Sequence, residues 1–357
     1  MEQPIRVLVV EDSPTQRELI VALIRAAGGF TVVGTADNGG AAVSSTLAMR
    51  PNIVAMDVHL PIMDGYEATR QIMQRCPTPI VMFSNSSGDG ERRSIQALAA
   101  GALAVVRKPG SLMSATGTAE REAFLRMLRL MAKVRVVTRH APRVFPPITP
   151  PPMVGTGVVP EVVAVAASTG GPAALQTFLA GLGPTFGLPI LVVQHIARGF
   201  TTALVDWLAS VVPLPTQIVT TETRLQAGRV YFAPDDAHII VSGRNLVKQQ
   251  PCRPEDRYCP SADLLFETTA RAYGARAVGV IMTGMGDDGT IGLARMRQAG
   301  AATFGQDEAT CVVYGMPQAA RAAGAVMLTL PLGGLAAAVL TTTAGVEQIR
   351  VRSERQS

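Results

Sequence analysis

The chain has 357 residues, enough for two ordinary domains with a core each, and its 48% hydrophobic and 17% charged residues describe a globular protein and exclude a disordered one. A net charge of +5, with no block of like charges, gives a mild preference for acidic partners and no footprint for nucleic acid. The four cysteines, Cys76, Cys252, Cys259 and Cys311, lack zinc-like or C-x-x-C spacing; the residues before Ile5 do not read as a signal peptide, so none is expected, and no apolar run reaches the roughly 18 residues of a membrane span. A cytoplasmic protein with reduced thiols and no membrane insertion is expected.

From the start, short apolar runs alternate with segments of helical period: Arg6 to Val10, Phe30 to Val33, Ile53 to Met56, Pro79 to Phe83 and Ala104 to Val106. Such alternation predicts an α/β domain with a doubly wound parallel sheet, whose ligands bind at the carboxyl ends of the strands. Those ends carry Glu11 and Asp12, then Asp57, Ser84 and Lys108 followed by Pro109. Three carboxylates meeting at one edge repel one another unless a hard divalent cation such as Mg2+ joins them. The Ser84 hydroxyl and the Lys108 charge suit a phosphoryl group.

The stretches V-L-V-V-E-D-S-P, A-M-D-V-H-L-P-I-M-D-G, I-V-M-F-S and R-K-P resemble the response-regulator receiver family over roughly the first third of the chain. The resemblance implies a flavodoxin-like fold with a cis bond before Pro109. It also implies that Asp57 accepts phosphate from a CheA-like histidine kinase, that Glu11, Asp12 and Asp57 hold Mg2+, and that Ser84 and Lys108 read the phosphorylated state. Leu60 replaces a methionine usual in the family, and His59 reads as an exposed loop residue.

Glu120 to Lys133 has an amphipathic stripe of Phe124, Leu125, Leu128 and Met131, which predicts the last helix of this domain, extended. The Pro-rich run from Ala141 to Pro152 reads as a semi-rigid linker. The expected organisation is a receiver over 4–124, a helical extension and linker over 125–156, and a second domain over 157–347.

The second domain opens on Val162 to Pro172, an apolar strand-like run that stops at Ser168, two glycines and a proline. Such a strand-to-helix turn exposes Ser168 beside the amides of Thr169, Gly170 and Gly171. It is a relaxed form of the G-x-S-x-G elbow, with Ala166 at the first glycine, although Gly-rich turns also bind phosphate or simply reverse the chain. Pro189 to Val193 then ends at Gln194 and His195, and Ala277 to Met282 ends in Thr283-Gly284-Met285-Gly286-Asp287-Asp288-Gly289. Parallel strands place their carboxyl ends on one edge, so a serine, a histidine and an aspartate converge there. Ser168 needs an imidazole to remove its proton, and an aspartate must hold that imidazole. His195 is the candidate base with His238 as a rival, and spacing leaves Asp287 and Asp288 both open.

The motifs A-S-T-G-G-P, V-V-Q-H, Y-F-A-P-D-D-A-H, C-P-S-A-D-L-L-F, T-G-M-G-D-D-G and A-T-C-V-V-Y-G-M-P resemble the catalytic domain of the CheB family of chemotaxis methylesterases, from about Val159 to Thr341. The resemblance implies a second doubly wound, Rossmann-like domain and a triad of Ser168, His195 and Asp288, since Asp287 falls at the variable position of T-G-M-G-x-D-G. The esterase would need no cofactor; the amides of Thr169 and Met285 are candidate oxyanion donors. The implied substrates are glutamate γ-methyl esters of methyl-accepting chemoreceptors, with deamidation of receptor glutamines by the same acyl chemistry. The resemblance further implies that the unphosphorylated receiver obstructs catalysis. A basic Arg198 could favour an acidic receptor helix. The alternatives are a phosphorylation-controlled binding module with a vestigial site, and a DNA-binding regulator, for which no basic recognition helix is found.

Overall fold

The structure, a computed structural model, describes residues 3–84, 89–108, 115–134, 136 and 158–344. Contacts divide the chain into two units, Met1–Arg143 and Val144–Ser357. The expected Pro-rich linker from Ala141 to Pro152 and the cis bond before Pro109 lie outside the described residues.

In the first unit β1 (Ile5–Val10), α1 (Pro14–Ala26), β2 (Phe30–Ala36), α2 (Gly39–Met49), β3 (Ile53–Asp57), α3 (Gly65–Arg75), β4 (Ile80–Ser84), α4 (Asp89–Ala100), β5 (Ala104–Arg107) and α5 (Ala115–Met131) alternate without exception. All five expected strands are present, in the order β2-β1-β3-β4-β5 with every pairing parallel. The strands β1, β3 and β4 carry Val7–Val10, Ile53–Met56 and Ile80–Phe83 with no exposure, because helices cover both faces of a parallel sheet. Helix starts follow local chemistry: Ser13, Asn38 and Asp64 cap α1, α2 and α3 with side-chain oxygens that accept orphan amides. In α5, Phe124, Leu128 and Met131 of the expected stripe are buried and Leu125 is half-buried.

The second unit runs β6 (Val162–Ala167), α6 (Gly171–Leu182), β7 (Ile190–Gln194), α7 (Thr201–Val211), β8 (Thr216–Ile218), β9 (Thr223–Arg224), β10 (Val230–Phe232), β11 (Ala237–Gly243), β12 (Leu246–Pro251), α8 (Ala262–Tyr273), β13 (Ala277–Ile281), α9 (Thr290–Gln298), β14 (Ala302–Gln306), α10 (Met316–Ala322), β15 (Leu328–Leu330) and α11 (Leu332–Ala344). Seven strands form one parallel sheet in the order β15-β14-β13-β6-β7-β10-β8. The chain leaves β6 toward β7 and later returns to the other side of β6 as β13. That reversal opens a crevice at the carboxyl ends of β6, β7 and β13, where open α/β sheets bind ligands. A small antiparallel sheet, β11-β12-β9, lies outside the main sheet, and β11 packs on α8. No described helix is long and apolar enough to cross a membrane.

One expectation is overturned. Cys252 and Cys259 form a disulfide, with Cα atoms 6.0 Å apart, while Cys76 and Cys311 are free and buried. The spacing in sequence carried no sign of this; the segment between β12 and α8 doubles back and brings the two residues within bridging distance.

Candidate active site and acceptor site

Ser168 follows the last residue of β6, where the strand ends because the next two glycines turn the chain. Gly170 has φ +78°, and a Cβ there would meet Val312 Cβ at 2.6 Å, so both conformation and space call for glycine. Pro172 stands in the first turn of α6, where its missing N–H costs nothing. The Ser168 amide donates to Thr283 O at 3.0 Å, and Gln194 Nε2 donates to both Ser168 O (2.9 Å) and His195 O (2.8 Å). Gln194 therefore ties the end of β6 to the end of β7. The Thr283 hydroxyl donates to Thr169 O at 2.9 Å and accepts from the Val312 and Val313 amides, which fixes the far side of the turn. Ala166, at the position of a more usual glycine, has no positive φ. Gly284 lies against the serine: a Cβ on it would sit 2.7 Å from Ser168 Cβ.

His195 is half-buried at the end of β7. Its Nε2 faces Asp288 Oδ2 at 2.9 Å and Pro260 O at 3.1 Å. Two oxygen acceptors on one nitrogen place the ring proton on Nε2 and leave Nδ1 as the basic nitrogen. Tyr258 stacks on the imidazole, with ring centres 5.4 Å apart and planes within 7°. Among the described residues the Ser168 hydroxyl makes no hydrogen bond.

Asp288 is 1% exposed and takes up donors on all sides: the amides of Ala262 (2.7 Å), Asp263 (3.0 Å) and Gly289 (3.0 Å), and the Ser261 hydroxyl (3.2 Å). Burial alone would raise its pKa, but the hydrogen bond and charge of His195 with the Ala262 and Asp263 amides outweigh it and hold the carboxyl below its ordinary value. Ala262 and Asp263 open α8, so the helix N-terminus also favours the anion.

The pair left open by spacing is separated by geometry. Asp287, half-exposed, accepts from the Tyr258 hydroxyl (3.0 Å) and from Arg257 (3.1 Å), whereas the carboxylate paired with His195 is that of Asp288. His238 is no rival base. Its Nδ1 accepts the Ser261 amide at 3.0 Å, so the proton is on Nε2, which donates to Asp256 Oδ2 at 2.9 Å. Neither nitrogen remains available. The same tautomer, with Cys252 in a disulfide, removes His238, Cys252 and Asp256 as a metal centre although their side-chain atoms lie within 4.8 Å of one another. Arg198 is exposed and pairs with Asp236 at 2.6 Å.

The residues missed from sequence are Pro260, Ser261 and Tyr258. Ser261 had a signal, a serine ahead of the helical run Ala262–Tyr273, which is the pattern of an N-cap. The amides of Thr169 and Met285, beside Ser168 and after Gly284, donate to no acceptor among the described residues.

In the first unit Glu11, Asp12 and Asp57 come together at the carboxyl edge, with ligand oxygens within 4.8 Å of one another. An all-oxygen set of this charge fits a hard divalent cation. Lys108 Nζ donates to Asp57 Oδ2 at 2.6 Å and lies 2.8 Å from Glu11 Oε2. Burial pushes the Glu11 carboxyl up to about 7, against the pull of Lys108 and with a further push from the Asp57 charge. Burial would lower Lys108, but its bonds to Asp57 and Glu11 raise it above its usual value, so it stays charged. Ser84 is buried at the end of β4, its carbonyl accepting the Lys108 amide at 3.0 Å. His59 is exposed, as expected, and its amide donates to Asp57 Oδ1 at 3.1 Å.

Residues 163–339 match the CheB methylesterase family and residues 7–116 the response regulator receiver domain. A protein of Myxococcus xanthus (strain DK1622) named protein-glutamate methylesterase/protein-glutamine glutaminase 4 is 44% identical over 317 residues, spanning 88% of this chain and 90% of its own length. One of Anaeromyxobacter dehalogenans (strain 2CP-C), numbered 3 under the same name, is 45% identical over 90% of this chain and 94% of its own. A third, from Syntrophus aciditrophicus (strain SB), is 39% identical over 92% of this chain and 95% of its own.

Proposed function

Since the chain belongs to the CheB methylesterase family and carries a receiver domain ahead of the esterase domain, we propose that it is a phosphorylation-activated serine esterase. It removes methyl groups from glutamate γ-methyl esters in the cytoplasmic region of methyl-accepting chemoreceptors and releases methanol. The observation that carries this reading is the His195–Asp288 pair at 2.9 Å, at the same sheet edge as Ser168.

The Ser168 hydroxyl attacks the ester carbonyl while its proton passes to His195 Nδ1, the nitrogen turned away from Asp288. Asp288 keeps Nε2–H in place and stabilises the imidazolium without taking the proton. Negative charge develops on the carbonyl oxygen, where the amides of Thr169 and Met285 contribute about 3–4 kcal/mol per donor at sites of this kind. Collapse expels methanol with the proton from Nδ1. Water, deprotonated by the same nitrogen, then hydrolyses the acyl-enzyme to glutamate and restores Ser168. A receptor glutamine follows the same course with ammonia as leaving group, which makes the protein a glutaminase as well.

Control comes from the receiver. Asp57 accepts a phosphoryl group from a histidine kinase; the oxygens of Glu11, Asp12 and Asp57 would hold Mg2+, which when bound would supply positive charge to offset that of the phosphoryl group. The Lys108 ammonium, held by Asp57 and Glu11 before transfer, is positioned to move to a phosphoryl oxygen, with the Ser84 hydroxyl as its companion. A binding module would have no use for the paired, buried Asp288, so that alternative is not favoured. Methanol release from methylated receptor membranes, with and without a phosphodonor, tests both halves. The wild-type chain is expected to release methanol faster with the donor, and Ser168→Ala to release none; release by Ser168→Ala would remove the nucleophile from the mechanism.

A further inference from the structure

His238 has no place in the chemistry above, yet it is 2% exposed at the second position of β11, and both its nitrogens are used. A buried imidazole with a fixed tautomer on a rigid strand is a costly group to bury unless its hydrogen bonds hold something. What it holds is the peptide group between Pro260 and Ser261. The N–H of that group donates to His238 Nδ1 at 3.0 Å, and its carbonyl accepts from His195 Nε2 at 3.1 Å. One planar unit thus links the two histidines, and because the peptide cannot twist internally, fixing its N–H side fixes where its carbonyl points. The other end of the arrangement is anchored by Asp256, whose Oδ2 accepts both His238 Nε2 (2.9 Å) and the Arg253 amide (2.7 Å).

The same residue, Ser261, leads to the aspartate. Its hydroxyl donates to Asp288 Oδ1 at 3.2 Å and accepts the Leu264 amide at 3.3 Å as the N-cap of α8. Moving Ser261 would therefore disturb the carboxylate and the carbonyl that together aim the imidazole. We propose that His238 is a positioning residue of the esterase: by accepting the Ser261 amide it orients the Pro260–Ser261 peptide and, through it, the catalytic His195. The inference rests on the esterase reading above. It assigns His238 no proton transfer.

Three substitutions separate the two bonds of the ring. Asparagine can place an acceptor where Nδ1 stands, glutamine can place a donor where Nε2 stands, and leucine offers neither. Full-length wild type and His238→Asn, His238→Gln and His238→Leu are compared, with phosphodonor, for methanol release and for the rate at which a fluorophosphonate labels Ser168. Misaiming a catalytic base costs roughly 10- to 100-fold. The expected result is that Gln and Leu lose that much in kcat and in labelling rate with KM unchanged, while Asn stays within about threefold of wild type by the same reasoning. Thermal unfolding and amide exchange at Ser261 are read on each variant. If Gln matches Asn, if Leu keeps the wild-type kcat, or if activity simply follows unfolding, the proposal fails. If Gln and Leu do not fold, Asn alone decides: near-wild-type kcat supports the role, and a large loss ends it. Should wild type release no methanol, the esterase substrate reading falls, and the labelling rates still judge His238.

Discussion

At Asp288 a buried carboxylate gathers three amides, a hydroxyl and an imidazole, and this is where a single substitution should tell most. Asp288→Asn replaces an acceptor with a group that presents an NH2 to donors, and it removes the charge that stabilises the imidazolium. A loss of roughly 10³- to 10⁴-fold in kcat is expected from methanol release, by analogy with serine triads in general. The pH dependence of stability has a definite sign. Because the folded carboxyl is held below its ordinary value, its contribution is complete above about pH 4 and is lost as pH falls through the lower folded value. In urea titrations the stability gap between wild type and Asp288→Asn should not narrow between pH 8 and 5 and should narrow in stronger acid; narrowing near neutrality would contradict the assignment. Gly284 gives a steric counterpart. A methyl there meets Ser168 Cβ at 2.7 Å and Met316 Sδ at 2.3 Å, and although the thioether can swing away, the strand-end backbone under Ser168 cannot. Gly284→Ala should keep its fold by circular dichroism and lose roughly tenfold or more in kcat.

Among the elements, the segment from Cys252 to Ser261 between β12 and α8 has a role its lack of regular structure conceals. It supplies Tyr258 to the face of His195, the Pro260 carbonyl to Nε2 and the Ser261 cap to α8. Its two ends are joined by the Cys252–Cys259 bridge, seven residues apart in sequence. Closing so short a loop stabilises by about 2–3 kcal/mol in the chain-entropy account. Peptide mapping without reductant should recover Cys252 crosslinked to Cys259, with Cys76 and Cys311 as free thiols. Cys252→Ser should lower the unfolding free energy read from urea titration by an amount of that order; an unchanged free energy and no crosslinked peptide would show that the loop is held without the bridge.

For the whole molecule, two parallel sheets with separate cores carry two sites, and the link between them is tested by function. Asp57→Asn should leave basal methanol release intact and abolish its stimulation by a phosphodonor such as acetyl phosphate. Stimulation that survives the substitution would place the acceptor elsewhere. Removing the residues before about Val154 should raise the basal rate if the unphosphorylated receiver obstructs catalysis, and an unchanged or lower rate in the folded truncation would exclude obstruction.

The sequence by itself determined the layout: alternating apolar runs and helical periods, and the polar residues at the strand ends. Val162–Ala167 followed by Ser168, and Ile53–Asp57 with its acidic neighbours, were legible because strand period, turn glycines and strand-end chemistry are properties of adjacent residues. Motif resemblance then selected Asp288 over Asp287. Tertiary structure alone showed Asp287 engaged with Tyr258 and Arg257, both nitrogens of His238 already occupied, and two cysteines joined that had been expected free. It alone brought the Pro260 carbonyl to His195 across 65 residues of sequence. These contacts depend on where separate elements come to rest, and a pattern read along the chain records what each segment favours, with no measure of the distance between side chains that only packing brings together.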